Sequence, residues 1–163
     1  MPIPSIRPVV PAILAAGVLI AGCATQSGSS ADGGAATSGA GGASTVDVTI
    51  QEFSVNPSVD SAPAGEITFN VTNEGPEDIH EFVVIATDLD AGELPTDEDG
   101  AVDEEGEGME VIDEIEDLPV GESEELSVDL EAGHYALICN IFDEEEAEAH
   151  YQMGMHTNFE VTD

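Results

Sequence analysis

The chain has 163 residues, among them 36 Asp and Glu, one Lys or Arg, four His and two Cys, for a formal charge of −35 at pH 7. Its length fits one domain with a modest core, and 41% hydrophobic residues suffice to offset chain entropy, which excludes a wholly disordered acidic tail. Proteins that neutralise phosphates use Lys and Arg, so nucleic-acid binding and polybasic docking on anionic lipid are excluded as well.

Behind Arg7 and the N-terminal amine, residues 9–20 form an apolar run too short to span a bilayer, which fits the h-region of a secretory signal. The run ends in Ile20-Ala21-Gly22-Cys23. This tetrad resembles the lipobox of bacterial lipoproteins, which implies cleavage before Cys23 and lipidation of its thiol; the alternative is an ordinary signal peptide with a chance Cys. No twin arginine precedes the run, so general secretion is favoured over the Tat route. Residues 1–22 are thus expected to be a signal peptide, and residues 23–45 a lipidated Cys with a Gly-, Ser- and Ala-rich tether. At about 5–6 Å × √n, that tether has an r.m.s. reach of about 25 Å.

Once Arg7 leaves with the signal, the mature chain has no Lys and no Arg. Only His can then supply a side-chain cation. Like-charge repulsion at this density disfavours the compact state in dilute buffer, whereas in molar salt the Debye length falls to about 3 Å and the repulsion is screened. The composition therefore points to a high-salt habitat.

Residues 46–163 are expected to form the folded domain, because from Val46 the pattern has period two. Val46, Val48 and Ile50 alternate with polar residues, as do Ile67, Phe69 and Val71; Phe82 and Val84; Leu126, Val128 and Leu130; Tyr135, Leu137 and Cys139; and Phe159 and Val161. Turn signals at Asn56-Pro57, Ala64-Gly65, Glu74-Gly75-Pro76, Val120-Gly121 and Ala132-Gly133 separate them. Six or more such strands predict an all-β, Greek-key β-sandwich. The acidic stretch 88–118 is the exception, since its Met109, Val111, Ile112, Ile115 and Leu118 suit a helix or a strand equally.

With Cys23 assigned to lipid, Cys139 has no partner for a disulfide. A lone Cys is most often an inert buried residue; otherwise it is a ligand or a nucleophile. Its neighbourhood is informative: Cys139 ends a strand pattern, His150 and the methionines of Met153-Gly154-Met155 follow on a loop, and His80 opens a distant strand after Gly75-Pro76. A trigonal His₂Cys copper site with a weak axial Met requires these elements. In the strand register His80, Phe82 and Val84 share the face that the core occupies.

Asn73-x-Gly75-x₄-His80-x-Phe82, Gly133-x-Tyr135-x₃-Cys139-Asn140-Ile141 and His150-Tyr151-x₂-Gly154-Met155 together resemble the cupredoxin superfamily. The resemblance is to its small, acidic, lipid-anchored blue copper proteins of the halocyanin or plastocyanin-like kind. It implies His80, Cys139 and His150 as strong ligands of one type 1 copper ion and Met155 as the axial ligand. Two departures stand out. Ten residues separate Cys139 from His150 where relatives have a shorter loop, which puts the copper geometry in question although loop length is cheap in closure entropy. Glu81 stands where many relatives place Asn, with consequences for hydrogen bonding around the ligands.

Other candidates read more simply. His134 lies an odd number of residues from Cys139, which sends the two side chains to opposite faces. His156 points outward in the register that buries Phe159 and Val161. Met153 shares parity with Met155, so alternation leaves both open, while Gly154-Met155 matches the family better. Asp97-Glu98-Asp99-Gly100 lacks the first and last acids of a calcium loop, with Pro95 and Gly106 in their places. The acidic run 143–148 is a solvated face or, beside the metal loop, a device for choosing partners.

The resulting expectation is a monomeric, non-enzymatic, lipid-anchored type 1 copper protein. It would carry single electrons between membrane or extracytoplasmic redox proteins on the outer side of the cytoplasmic membrane. Copper capture and delivery on the same fold is one alternative, and a metal-free interaction sandwich is another.

Overall fold

Alternating side chains give each strand two faces, and what covers each face decides where the strand sits. The computed structural model describes residues 43–163. The expected signal peptide, Cys23 and most of the tether lie outside the described residues. In chain order the strands are β1 (Ser44–Gln51), β2 (Ser54–Pro57), β3 (Ser61–Pro63), β4 (Gly65–Asn73), β5 (His80–Thr87), β6 (Met109–Leu118), β7 (Ser123–Leu130), β8 (Gly133–Ile138), β9 (Phe142–Asp143), β10 (Glu148–Ala149) and β11 (His156–Thr162). There is no helix among the described residues.

Two sheets form the sandwich, one in the order β2-β1-β4-β7 and the other in the order β3-β11-β8-β5-β6. The apolar positions of the sequence pattern are their facing surfaces. Val46, Val48, Ile50, Ile67, Phe69, Val71, Val128 and Leu130 meet Phe82, Val84, Leu137, Phe159 and Val161 in one core. Phe69 is its centre, with its ring 5.4 Å from that of Phe82 and 5.6 Å from that of Phe159. Each such burial contributes about 1.5–3 kcal/mol. β1 begins at Ser44, two residues before the first buried position, because Ser44 and Thr45 already pair with Ile67 and Thr68 of β4.

The five-stranded sheet departs from simple alternation because it is covered on both faces. On its outer side Val83, Ile85, Ala136 and Ile138 are buried beneath Ala91, Leu94, Val102 and Tyr151 in a second core. Residues 88–108 are therefore a cover over the outer face rather than a wholly solvated acidic loop. The helix-or-strand ambiguity of residues 109–118 is resolved in favour of strand, since β6 pairs antiparallel with β5 from Thr87↔Met109 to His80↔Leu118. Turns fall where glycine is needed: Gly65 has φ 126° and Gly121 has φ 79°, values that side-chain-bearing residues rarely adopt.

Candidate metal centre

His80 is delivered by the turn between β4 and β5, and Asn73 builds that turn. Its buried Nδ2 donates to the carbonyls of Asp78 and Leu118, both at 2.9 Å, and its Oδ1 accepts from the N–H of Gly75 at 2.9 Å. The first residue of β5 is thereby fixed against the end of β6. A Cβ at position 75 would lie 2.5 Å from Glu52 Oε2 and 2.9 Å from Asn73 Oδ1, so the Gly of the sequence motif is required by close approach.

Cys139 follows β8 directly. Just beyond the last β5–β8 pair, Val83↔Ile138, the Glu81 N–H donates to Cys139 Sγ at 3.3 Å. The Cys139 N–H in turn donates to the Met155 carbonyl at 3.0 Å. Burial pushes the Cys139 thiol up to about 12, although the amides of Glu81 and Ile141 pull the other way. A thiolate at neutral pH at this position therefore needs a cation beside it.

The ten residues between Cys139 and His150 fold back on themselves as the β9–β10 hairpin, with Phe142↔Ala149 and Asp143↔Glu148 paired. The His150 N–H closes its base on the Ile141 carbonyl at 2.9 Å. The extra length is thus taken up in a projecting tip, with Glu144, Glu145 and Glu146 exposed, and His150 returns beside Cys139.

His80, Cys139 and His150 converge, all buried. His80 Nδ1 and His150 Nδ1 are 3.2 Å apart, and Cys139 Sγ lies 3.8 Å from the first and 3.5 Å from the second. A point equidistant from these three atoms is about 2.0 Å from each, a metal–imidazole bond length and about 0.3 Å short of a metal–thiolate one. Burial holds both imidazoles below the usual His range. The proximity of His150 adds to this at His80, while Glu52 and Asp78 act against it at both rings. Neutral imidazole is the form that ligates metal. Two facing ring nitrogens and a buried thiol fit a soft or borderline cation that satisfies all three.

Met155 is fully buried in the main core and its N–H donates to the His150 carbonyl at 3.1 Å, whereas Met153 is 45% exposed. Burial thus separates the two methionines that alternation left equivalent: Met155 lies in the core beside His150 and Cys139 in sequence and hydrogen bonding, and Met153 faces solvent. His134 is exposed, at the start of β8 and on the face opposite Cys139. His156 is partly exposed and packs its ring 5.1 Å from Tyr151. Asp97 Oδ1 accepts from the N–H groups of Asp99, Gly100 and Ala101, so the calcium-like acids close their own turn.

Three features of the site escaped the sequence reading. Glu52 sits beside His80 and Phe53 packs edge-on against His150 with ring centroids 5.5 Å apart; neither belongs to a strand pattern. The outer cover is tied to the residues that follow two of the clustered side chains. Asn140 Oδ1 accepts from the Val102 N–H at 2.6 Å and its Nδ2 donates to the Val102 carbonyl at 3.1 Å. The Tyr151 hydroxyl donates to the Ala91 carbonyl at 2.9 Å and accepts from the Leu94 N–H at 3.0 Å. Glu81, flagged as a departure, is half-buried. Desolvation, with Glu114 and Glu104 nearby, raises its carboxyl to about 7.

No protein-family model and no curated protein matches the chain. Solved structures do. Reduced rusticyanin is 17% identical with a TM-score of 0.50, over 72% of this chain and 79% of that one. Rusticyanin from Thiobacillus ferrooxidans is 16% identical at the same TM-score, over 72% and 77%. The chain has the cupredoxin fold. Auracyanin from Roseiflexus castenholzii is also similar, at 19% identity and a TM-score of 0.49, over 77% of this chain and all of that one. Within this cupredoxin sandwich, the buried His80, Cys139 and His150, with Met155 next to them in the chain's hydrogen bonding, fit a type 1 copper site.

Proposed function

We propose that this protein is an extracytoplasmic, lipid-anchored type 1 copper protein that carries single electrons between membrane or extracytoplasmic redox partners. His80 Nδ1, Cys139 Sγ and His150 Nδ1 are the strong copper ligands in this reading, and Met155 is the weak axial one. The observation that carries it is the triangle of three buried donor atoms with edges of 3.2, 3.5 and 3.8 Å. Thiolate and thioether favour Cu(I) while imidazoles keep Cu(II) bound, so one donor set serves both oxidation states. The copper supplies the electron-accepting orbital. The protein supplies a dry, pre-shaped cage: Asn73 fixes the His80 turn, the Glu81 N–H stabilises negative charge on sulfur, and Phe53 backs the His150 ring.

Enclosure supports a carrier over copper delivery, because His80 and Cys139 are fully buried and His150 is 2% exposed. The two Nδ1 atoms directed at one another weigh against a metal-free interaction sandwich. Membrane attachment rests on the lipobox-like Ile20-Ala21-Gly22-Cys23 and the tether behind it. Such a tether raises the effective concentration of the domain near partners on the same membrane.

Voltammetry of the copper-loaded protein, followed by incubation with a Cu(I) chelator, tests the function. A reversible one-electron wave with copper retained over many cycles is expected. Rapid copper surrender with no reversible wave would favour delivery and overturn the carrier reading.

A further inference from the structure

Glu52 lies in the short link between β1 and β2, outside every motif that carries the resemblance, yet its carboxylate is built into the site. Its Oε1 accepts from the N–H of Asp78 at 2.6 Å and from that of Glu77 at 3.2 Å, the two residues just before Ile79 and His80. Its Oε2 occupies the space that the missing side chain of Gly75 leaves free. Oε1 is also 3.7 Å from His80 Nε2. Both Glu52 Oε2 and His80 Nε2 are buried without a hydrogen-bond partner among the described residues. Two unpartnered buried polar atoms on neighbouring side chains are rare in native proteins and call for an explanation.

The geometry at the other end of the imidazole supplies one. His80 Nδ1 faces His150 Nδ1 and Cys139 Sγ, so as a ligand it must be unprotonated, and the single proton of a neutral ring then sits on Nε2. We infer that Glu52 is a positioning residue for the copper centre: its carboxylate, 3.7 Å from Nε2, draws the ring proton of His80 to that nitrogen electrostatically, favours the tautomer that presents Nδ1 to the metal, and favours Cu(II) over Cu(I). The inference rests on the proposed copper function for its metal half and on the apo protein alone for its tautomer half. A carboxylate behind a ligating imidazole raises the basicity of the ligand, and its negative charge stabilises the more highly charged metal ion. The same carboxylate, by accepting the Asp78 and Glu77 amides, couples the His80 turn to the end of β1. The Glu52–Phe53 link thereby serves both imidazoles, the carboxylate at His80 and the Phe53 ring at His150.

Glu52→Gln separates the electrostatic role from a purely structural one. A Gln carbonyl in the Oε1 position can still accept the two backbone amides and face Nε2, so the variant removes the negative charge behind the ring, and with it the preference for a proton on Nε2, while keeping the turn. Long-range ¹H–¹⁵N spectra of the metal-free protein read the His80 tautomer directly. Wild type is expected to carry its proton on Nε2, and the variant to shift towards Nδ1. In copper titrations the variant is expected to lose about 10–100-fold in Cu(II) affinity and less in Cu(I) affinity; each tenfold change in their ratio raises the one-electron potential by about 59 mV. Wild-type apo protein protonated on Nδ1 would overturn the inference, whether or not the variant folds. A folded variant with unchanged tautomer and unchanged affinity ratio would overturn it too. Failure of wild type to form a copper–thiolate chromophore would instead count against the copper function, while the metal-free spectra would still decide the Glu52–His80 pairing.

Discussion

Replacing Tyr151 with Phe tests whether the outer cover helps to hold the metal loop. The ring remains to fill the second core and to pack against His156, whose ring lies 5.1 Å away; only the hydroxyl is lost. That hydroxyl satisfies two buried backbone groups, the Ala91 carbonyl and the Leu94 N–H. An unsatisfied buried polar group costs about 1–3 kcal/mol, so two of them predict a loss of about 2–6 kcal/mol. For a folded unit of this size, 1 kcal/mol corresponds to about 4 °C in melting temperature, which places the expected drop at about 8–24 °C. Because Tyr151 adjoins His150, amide exchange of the apo protein should accelerate in residues 89–94 and 149–155 more than in β1 and β4. Calorimetry and hydrogen exchange on wild type and variant provide the assay. A melting temperature within 1–2 °C of wild type, or an increase in exchange spread evenly over both sheets, would refute the idea that this hydroxyl clamps the cover to the loop.

Asn73→Ala leaves the Asp78 and Leu118 carbonyls and the Gly75 N–H without their side-chain partner, and should cost about 3 kcal/mol or more in urea unfolding; a loss under 1 kcal/mol would contradict its role in the His80 turn. Glu81 has its carboxyl raised to about 7 by burial and nearby acids, so the folded state holds a proton that the unfolded state releases nearer the ordinary value. Its stabilising contribution is present below about pH 4.5 and is lost as pH rises through 7. In apo protein the stability difference between Glu81→Gln and wild type should therefore shift in favour of the variant across that window, and a pH-independent difference would contradict the assignment. Replacing Glu144, Glu145 and Glu146 with Gln at the hairpin tip should make oxidation by an anionic metal complex faster and less salt-dependent, as measured by stopped flow; an unchanged salt slope would mark these acids as a solvated face only.

The sandwich was legible because six runs of alternating residues have one face in the main core, and the glycines punctuating them occupy turns. Period two was less informative for β5 and β8, where both faces are buried: Val83, Ile85, Ala136 and Ile138 look inward as strongly as Phe82 and Leu137. What covers them, residues 88–108, has scattered apolar residues without a period, so its packing depends on Tyr151 and Asn140, far away in sequence. The His80, Cys139 and His150 cluster could be anticipated from residue type and order at strand ends. The way a ten-residue loop brings His150 back could not, because hairpin pairing of Phe142–Asp143 with Glu148–Ala149 has almost no local hydrophobic signature. Glu52 was invisible for a different reason: among 36 acidic residues, only tertiary contact distinguishes one carboxylate that lies against a buried imidazole.

The central claim is that His80, Cys139 and His150 hold copper through a thiolate bond. Titrating the purified protein with Cu(II) in high salt, while recording visible spectra of wild type and Cys139→Ser, tests it most directly. The account predicts an intense thiolate-to-copper charge-transfer band that saturates at one copper per chain and is absent from the variant. A wild-type protein that takes up no copper, or whose spectrum matches that of Cys139→Ser, would contradict it.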